Sequence, residues 1–303
     1  VKVSLLRKIV PECIRVPVVI WLRKRGITTK IQTLLYRREA NALRHKFASN
    51  SPLSSEKLSE MKVLVVCAHY NHTRFLPDCV SSLLSQTHSN WQLLIVDDKS
   101  TSPDATKVIT ALTDLDPRIH AIHLLENSGA YIARNTGISA SLLLDSCKDW
   151  THVTFIDPDD VATPGWLNHV LSVLGGQEGS VRPFLQRYDI DLKTPLHAYF
   201  GHCPSIHSRF AWERAGGFLS VRRSGDSEMT VRLSHLAKDG LTTVLKSWDV
   251  AQKCRHIPGS ATHQDLRARK VWLEKRNNEL ASLPISEMKI STPSISAWEN
   301  FGE

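Results

Sequence analysis

Asp157-Pro158-Asp159-Asp160 sets three carboxylates within four residues, directly after the apolar run Val153 to Ile156. Pro158 has no N–H to give to a central ladder, so the acids stand where a strand ends. Carboxylates crowded in this way repel one another and raise each other's pKa unless a cation or strong donors lie among them. A hard divalent ion, Mg²⁺ or Mn²⁺, meets that need, since it prefers oxygen ligands and is usually held by one or two carboxylates together with a substrate's phosphates. Taken alone, the run suits a solvated turn or a helix cap at least as well, because Asp is favoured in both. A calcium loop fits poorly, as Ala162 occupies the sixth place, where the sharp turn calls for glycine.

The elements that would position these acids follow from hydrophobic periodicity. Strands are expected over Lys62 to Ala68, Trp91 to Val96, Ile119 to Leu125 and His152 to Ile156. Helices are expected between them over Arg74 to Gln86, Ala105 to Leu115 and Ala130 to Leu144. Strands alternating with helices of this length predict a parallel α/β sheet, and ligands on such sheets bind beyond the carboxyl ends of the strands. Polar clusters stand at all these ends: His69-Tyr70-Asn71, Asp97-Asp98-Lys99-Ser100, Asn127-Ser128-Gly129, and the acids. Together they form one candidate site.

Bulk properties bound the function class. A chain of 303 residues with 42% hydrophobic and 22% charged residues is that of a soluble globular protein of one large or two small domains. No apolar run approaches the ~20 residues that span a bilayer. Its six cysteines lack C-x-x-C spacing, which argues against zinc or a disulfide scaffold and for reduced thiols in the cytoplasm, with Cys67 and Cys79 in the core. The chain starts at Val1 without a signal-peptide pattern, as a piece of a longer protein would. Net charge is +8 overall, but +10 for residues 1–62 and −2 for the remainder. A basic folded surface for nucleic acid is therefore not expected. The arm over residues 1–50, with Leu5, Leu6, Ile9 and Val10 at helical spacing, suits an anionic membrane surface or a partner protein; helices packed on the main domain are the alternative.

In the order and spacing of its motifs, the chain resembles the family-2 glycosyltransferases over residues 61–262. The matching stretches are Val65 to Asn71, Cys79 to Thr87, Leu94 to Ser100, Asn127 to Asn135 and Phe155 to Asp160, followed more weakly by Gly216-Gly217-Phe218 and Ser224 to Glu228. The resemblance implies a GT-A (Rossmann-like) fold with a mostly parallel central sheet and helices on both faces. That domain comprises a nucleotide-binding half over 61–160 and an acceptor-binding half over 161–262. A basic helical extension (1–60) and a helical tail (263–303) flank it. It further implies that His69, Tyr70, Asn71 and Asp98 hold the nucleotide base, with Asp97 supporting the loop. Asn127 and Arg134 would lie near ribose and phosphates, although a helix-face ion pair also accounts for Arg134. Asp157 would reach ribose and metal, Asp159 would bind the metal on the diphosphate, and Asp226 matches the family's catalytic base. His256 resembles a segment that closes over the diphosphate and supplies a metal ligand, and His202 and His207 are candidates for the acceptor pocket.

Departures from the family pattern stand beside these matches. Ala68 and Lys99 occupy places where the family usually has proline and glycine, and the family's acidic pair appears as Gly225-Asp226. Asp226 also reads as the N-cap of a helix expected over Glu228 to Leu236. Inverting transfer from a nucleoside-diphosphate sugar, UDP being first choice, to a hydroxyl of a glycan or lipid-linked acceptor in surface-polysaccharide synthesis is the implied function. It needs Mn²⁺ or Mg²⁺ and one base carboxylate, with Glu228 next in line if Asp226 is not that base. The implied location is the cytoplasm, at the inner face of the membrane. Two rivals are a sugar nucleotidyltransferase, which would show a glycine-rich basic loop where Ala68-His69-Tyr70-Asn71 stands, and an inactive glycan-binding or scaffolding module.

Overall fold

In the computed structural model, the residues described are 53–258, 266–289 and 298–300. The stretch over residues 1–50, and with it the expected membrane or partner surface, lies outside them. The end of the basic extension forms helix α1 (Ser55–Glu60), capped by Ser54, whose Oγ accepts from the Lys57 N–H at 3.3 Å.

Strands β1 (Val63–His69), β2 (Trp91–Asp97), β3 (Ile119–Leu124) and β4 (His152–Phe155) alternate with helices α2 (Leu76–Leu84), α3 (Ala105–Thr113) and α4 (Ala130–Ser141). All seven residues of β1 are buried, as continuous apolar runs are in a parallel strand covered on both faces. Helix α2 starts two residues later than its periodicity suggests, with Pro77 in the first turn, where a missing N–H costs nothing. The second half adds β5 (Val161–Ala162), α5 (Trp166–Leu174), β6 (Gly179–Tyr188), β7 (Pro195–Phe200), β8 (Ile206–Ser208), α6 (Arg209–Ala215), α7 (Gly225–Leu236) and β9 (Thr243–Arg255). Helix α8 (Leu266–Ser282) and β10 (Trp298–Asn300) follow.

The strands join in one sheet of order β10-β3-β2-β1-β4-β8-β6-β9-β5, with β7 paired to β6. β3, β2, β1 and β4 are parallel, so their carboxyl ends share one edge. Beyond β4 the sheet runs on through antiparallel β8 and β6 without a break, and β6 then pairs with β9 in parallel. One face, with Val65, Cys67 and Ile95, carries α2, α3 and α5. The other, with Leu64, Val66 and Val96, carries α4, α6 and α7. Gly137 sets the approach of α4, because a Cβ there would meet Val96 Cγ2 at 2.6 Å and Val66 Cγ1 at 3.0 Å. Cys67 and Cys79 are fully buried, as expected.

Two buried histidines give the fold a pH dependence. His207 sits between the Phe155 and Trp212 rings, with Nδ1 2.7 Å from Ser180 Oγ, and burial pushes it down to about 3; burial pushes His152 down to about 4. His207 thus belongs to the core and not to an acceptor pocket. Below about pH 6.5 the unfolded chain takes up protons that the folded one refuses, so both residues withdraw stability as pH falls from 6.5 towards 4. Asp160, buried with its carboxyl raised, acts with the opposite sign. The melting temperature is expected to drop across that window, and a His207→Asn variant should show a shallower slope; an unchanged slope would count against a neutral His207.

Candidate active site at the strand ends

Each cluster expected at a strand end is found there, and hydrogen bonds tie the clusters into one wall. His69, Asp97 and His123 face one another in register across β1, β2 and β3. His69 is fully buried; its Nδ1–H donates to Asp97 Oδ1 at 2.8 Å, and Nε2 has no hydrogen-bond partner among the described residues. His123 Nδ1 lies 3.2 Å from Asp97 Oδ2. Burial opposes the charge on Asp97, but the hydrogen bonds from His123, His69 and Ser100 outweigh it and hold the carboxyl well below its ordinary value. His69 therefore belongs to the floor of the site, whereas Tyr70 is 42% exposed at its mouth.

Asn71 laces the first loop to the second. Its Oδ1 accepts from the N–H groups of Thr101 and Ser102 at 2.9 and 3.1 Å, and its Nδ2 donates to Thr101 Oγ1 at 3.0 Å. Lys99, in the place of a family glycine, keeps a left-handed φ of 61° at a cost of about 1–2 kcal/mol, so the loop retains a glycine-like shape. Its Nζ donates to the Leu125 carbonyl at 2.7 Å. Asp98 faces the third loop: its carboxylate accepts from the Ser128 and Gly129 N–H groups at 2.7 and 2.8 Å and from Asn127 Nδ2 at 3.1 Å. Burial raises the Asp98 pKa against the pull of these donors. Both oxygens are thus engaged by the Asn127 loop, which Arg222 joins through Asn127 Oδ1 at 3.3 Å.

The acids after β4 divide their tasks. Asp157 Oδ1 accepts from buried Arg134 at 2.5 Å and lies 3.8 Å from Cys203 Sγ, while Oδ2 carries no hydrogen bond among the described residues. Arg134 is thus tied to the acid turn itself, not to a neighbour on its own helix. Asp159 Oδ1 lies 3.4 Å from His72 Nδ1, and that carboxylate raises the imidazole's pKa. Asp160 is turned inward and accepts from the Arg255 N–H at 3.1 Å. Arg255 binds the whole turn: its guanidinium donates to the Asp159 carbonyl at 2.7 Å, to Asp78 Oδ2 at 2.6 Å and to the Ile190 carbonyl at 3.1 Å. His256 follows β9, and its main-chain N–H donates to the Tyr188 carbonyl at 2.9 Å. No group of three His, Cys, Asp or Glu side chains among the described residues is placed to hold a metal. Asp157 and Asp159 instead offer two hard carboxylates, the donor set that suits Mg²⁺ or Mn²⁺ when phosphates supply the other ligands.

Asp226 comes from the other half of the chain. It stands in the first turn of α7, whose N-cap position is Ser224 at a φ of 64°, a residue whose side chain makes no capping hydrogen bond. Asp226 Oδ1 accepts from the Tyr131 hydroxyl and from the Ser227 N–H, both at 2.8 Å. Burial, and then the Asp226 charge, push the Tyr131 phenol well above its ordinary value, so it remains a donor. His202, pushed down to about 4 by burial, is neutral. Arg182, which can only donate, lies 3.1 Å from His202 Nε2, so the ring proton sits on Nδ1 and is given to Thr230 Oγ1 at 2.8 Å. Thr230 donates to the Asp226 carbonyl at 3.1 Å. Glu228 is fully buried in an ion pair with Arg232 at 2.8 Å and is not available as a base.

Among the residues of this site without a role from the sequence alone are Tyr131, His72, Cys203 and Arg182. Tyr131 lies inside the Asn127 to Asn135 motif, and His72 directly follows the His69-Tyr70-Asn71 loop, so adjacency was the signal for both. Cys203 and Arg182 carry none.

Comparison with known proteins places this geometry. The putative teichuronic acid biosynthesis glycosyltransferase TuaG of Bacillus subtilis is 37% identical over 99 residues, covering 32% of this chain and 36% of that protein. The putative colanic acid biosynthesis glycosyl transferase WcaA of Escherichia coli is 38% identical over 104 residues, 34% of each chain. The chain thus matches about a third of the length of these relatives. Among solved structures, Staphylococcus aureus TarS 1-349 in complex with UDP superposes with a TM-score of 0.55 at 13% identity, covering 75% of this chain and 68% of that one. The Pyrobaculum calidifontis mannosyltransferase PcManGT, solved with GDP-Man and Mn²⁺, gives a TM-score of 0.55 at 15% identity, covering 86% and 75%. At these identities the solved structures speak for the fold, which is GT-A. Residues 64–215 match the family described as glycosyl transferase family 2, which is half of the chain, and the chain belongs to that family.

Proposed function

We propose that this chain is an inverting glycosyltransferase that moves a sugar from a nucleoside-diphosphate sugar, UDP being the first choice, to a hydroxyl of a glycan or lipid-linked acceptor during assembly of a bacterial surface polysaccharide. It would act at the cytoplasmic face of the membrane. The observation that carries the reading is the convergence of two carboxylate groups from distant parts of the chain: Asp157 and Asp159 after β4, and Asp226 on α7, with Arg134 and Tyr131 from one helix holding one carboxylate each. The relatives named for teichuronic and colanic acid biosynthesis support the product class.

In this reading the loops carrying Tyr70, Asn71 and Asn127 form the wall against the base and ribose, with Asp98 shaping that wall. Arg134 orients Asp157 so that Oδ2 remains for the donor side. Asp157 and Asp159 would hold Mn²⁺ or Mg²⁺, which when bound neutralises charge on the leaving diphosphate. On the opposite side Asp226 accepts the acceptor's proton at Oδ2 as the sugar is attacked from behind, which inverts the anomeric carbon.

A panel of UDP- and GDP-sugars with Mn²⁺, read by release of the nucleoside diphosphate and by the anomer formed, tests the proposal. Asp159→Asn is expected to remove most metal-dependent turnover and to weaken Mn²⁺-dependent UDP binding while the melting temperature holds. Equal UDP binding with chelator present, together with a fully active variant, would overturn the metal assignment.

A further inference from the structure

Gly225 stands where the family's acidic pair would place a second carboxylate, and the structure contains a physical reason for its being glycine. A Cβ at position 225 would lie 2.9 Å from Cδ2 and Cγ of the Tyr131 ring and 3.1 Å from Cδ1. These are ring atoms, not the movable end of a flexible chain. The ring cannot retreat, because Phe218 packs against it with centroids 5.3 Å apart and the Arg134 guanidinium lies 5.3 Å from its centroid. Tyr131 is thus held on three sides, and its hydroxyl ends 2.8 Å from Asp226 Oδ1.

We propose that Tyr131 is the positioning residue for Asp226. Its hydroxyl and the Ser227 N–H fix Oδ1 and leave Oδ2 for the acceptor hydroxyl, and Gly225 is glycine because this ring fills the space beside it. Tyr131 touches neither donor nor acceptor in this scheme; it acts through Asp226. The inference rests on the reading of Asp226 as the base, and it goes beyond that reading in naming what aims the base and what excludes a neighbouring side chain.

The test is a mutant cycle on hydrolysis of the nucleotide sugar that the donor panel selects, with Mn²⁺ present. Tyr131→Phe keeps the ring and removes only the donor. Losing a hydrogen bond to a charged group, it is expected to lower kcat by ~10–100-fold while KM for the donor and UDP binding stay unchanged. In an Asp226→Asn background the same change should cost almost nothing further, because the two residues act as one unit. A Tyr131→Phe enzyme with wild-type kcat, or one whose loss adds in full to that of Asp226→Asn, overturns the proposal and leaves the base in place. A near-normal Asp226→Asn enzyme, or a wild-type protein that hydrolyses no sugar of the panel, removes the base reading and the tyrosine with it. The steric half is read from stability alone: Gly225→Ala should lower the melting temperature in the wild type and have little effect beside Tyr131→Ala. An equal drop in both backgrounds would show that the ring is not what excludes the Cβ.

Discussion

Asp226→Asn is expected to lower turnover by ~10²–10⁴-fold while donor binding and melting temperature stay close to wild type. The amide keeps the size of the carboxylate, and its oxygen still accepts from the Tyr131 hydroxyl and the Ser227 N–H, so the local geometry survives. Only the capacity to take a proton at the second oxygen is lost. A capping role would predict the reverse, a stability loss of at most ~1–2 kcal/mol with turnover intact. Steady-state kinetics beside thermal melts separate the two, and near-normal transfer would remove Asp226 from the mechanism.

Glu228, two residues on, is expected to behave in the opposite way. Its carboxylate receives Arg232 at 2.8 Å and Arg276 at 3.3 Å, and both Glu228 and Arg232 are fully buried. Burial lowers the Arg232 pKa, and Glu228 opposes that shift without outweighing it. Glu228→Ala leaves a guanidinium in the core with the carbonyls of Ala215 and Gly217 as its remaining partners, a loss of roughly 3–5 kcal/mol in denaturant unfolding. Replacing both partners together, Glu228→Leu with Arg232→Met, should recover much of that loss. Were the single variant as stable as wild type, the buried pair would not be what joins α7 to the Gly216-Gly217 turn. Such a pair fixes where α7 begins, and thereby where Asp226 stands.

These two neighbours also mark how far residue types alone could be read. In the first half, β1 is a buried apolar run, β2 is interrupted only by half-buried Gln92, and β4 is buried throughout although it includes His152 and Thr154, so their ends, and the polar clusters at those ends, were legible. β6 and β9 were not: both are long, mix buried with half-exposed positions, and shift register between Arg182 and Leu185, which breaks the period-two pattern. Asp226 and Glu228 are both acids in the first turn of one helix, and only tertiary packing sends one to the site and the other into the core. Arg134 had an obvious helical environment, yet its partner lies 23 residues away at the end of β4. His256 alone was singled out as an imidazole for the acids, whereas loop geometry sets His72 beside Asp159.

Arg255 carries a mechanical consequence. A single guanidinium fastens α2, the acid turn and the Ile190 loop, at the end of a strand belonging to a sheet that runs from parallel β1–β4 through β8 and β6 to β9 without a break. Such a frame leaves no hinge along the sheet between the two halves. Asp159 follows β4 and Asp226 stands on α7, which packs on the same sheet, so one continuous frame carries both. Under the proposed function, part of the entropy of aligning these carboxylates would be lost in folding and not on substrate binding.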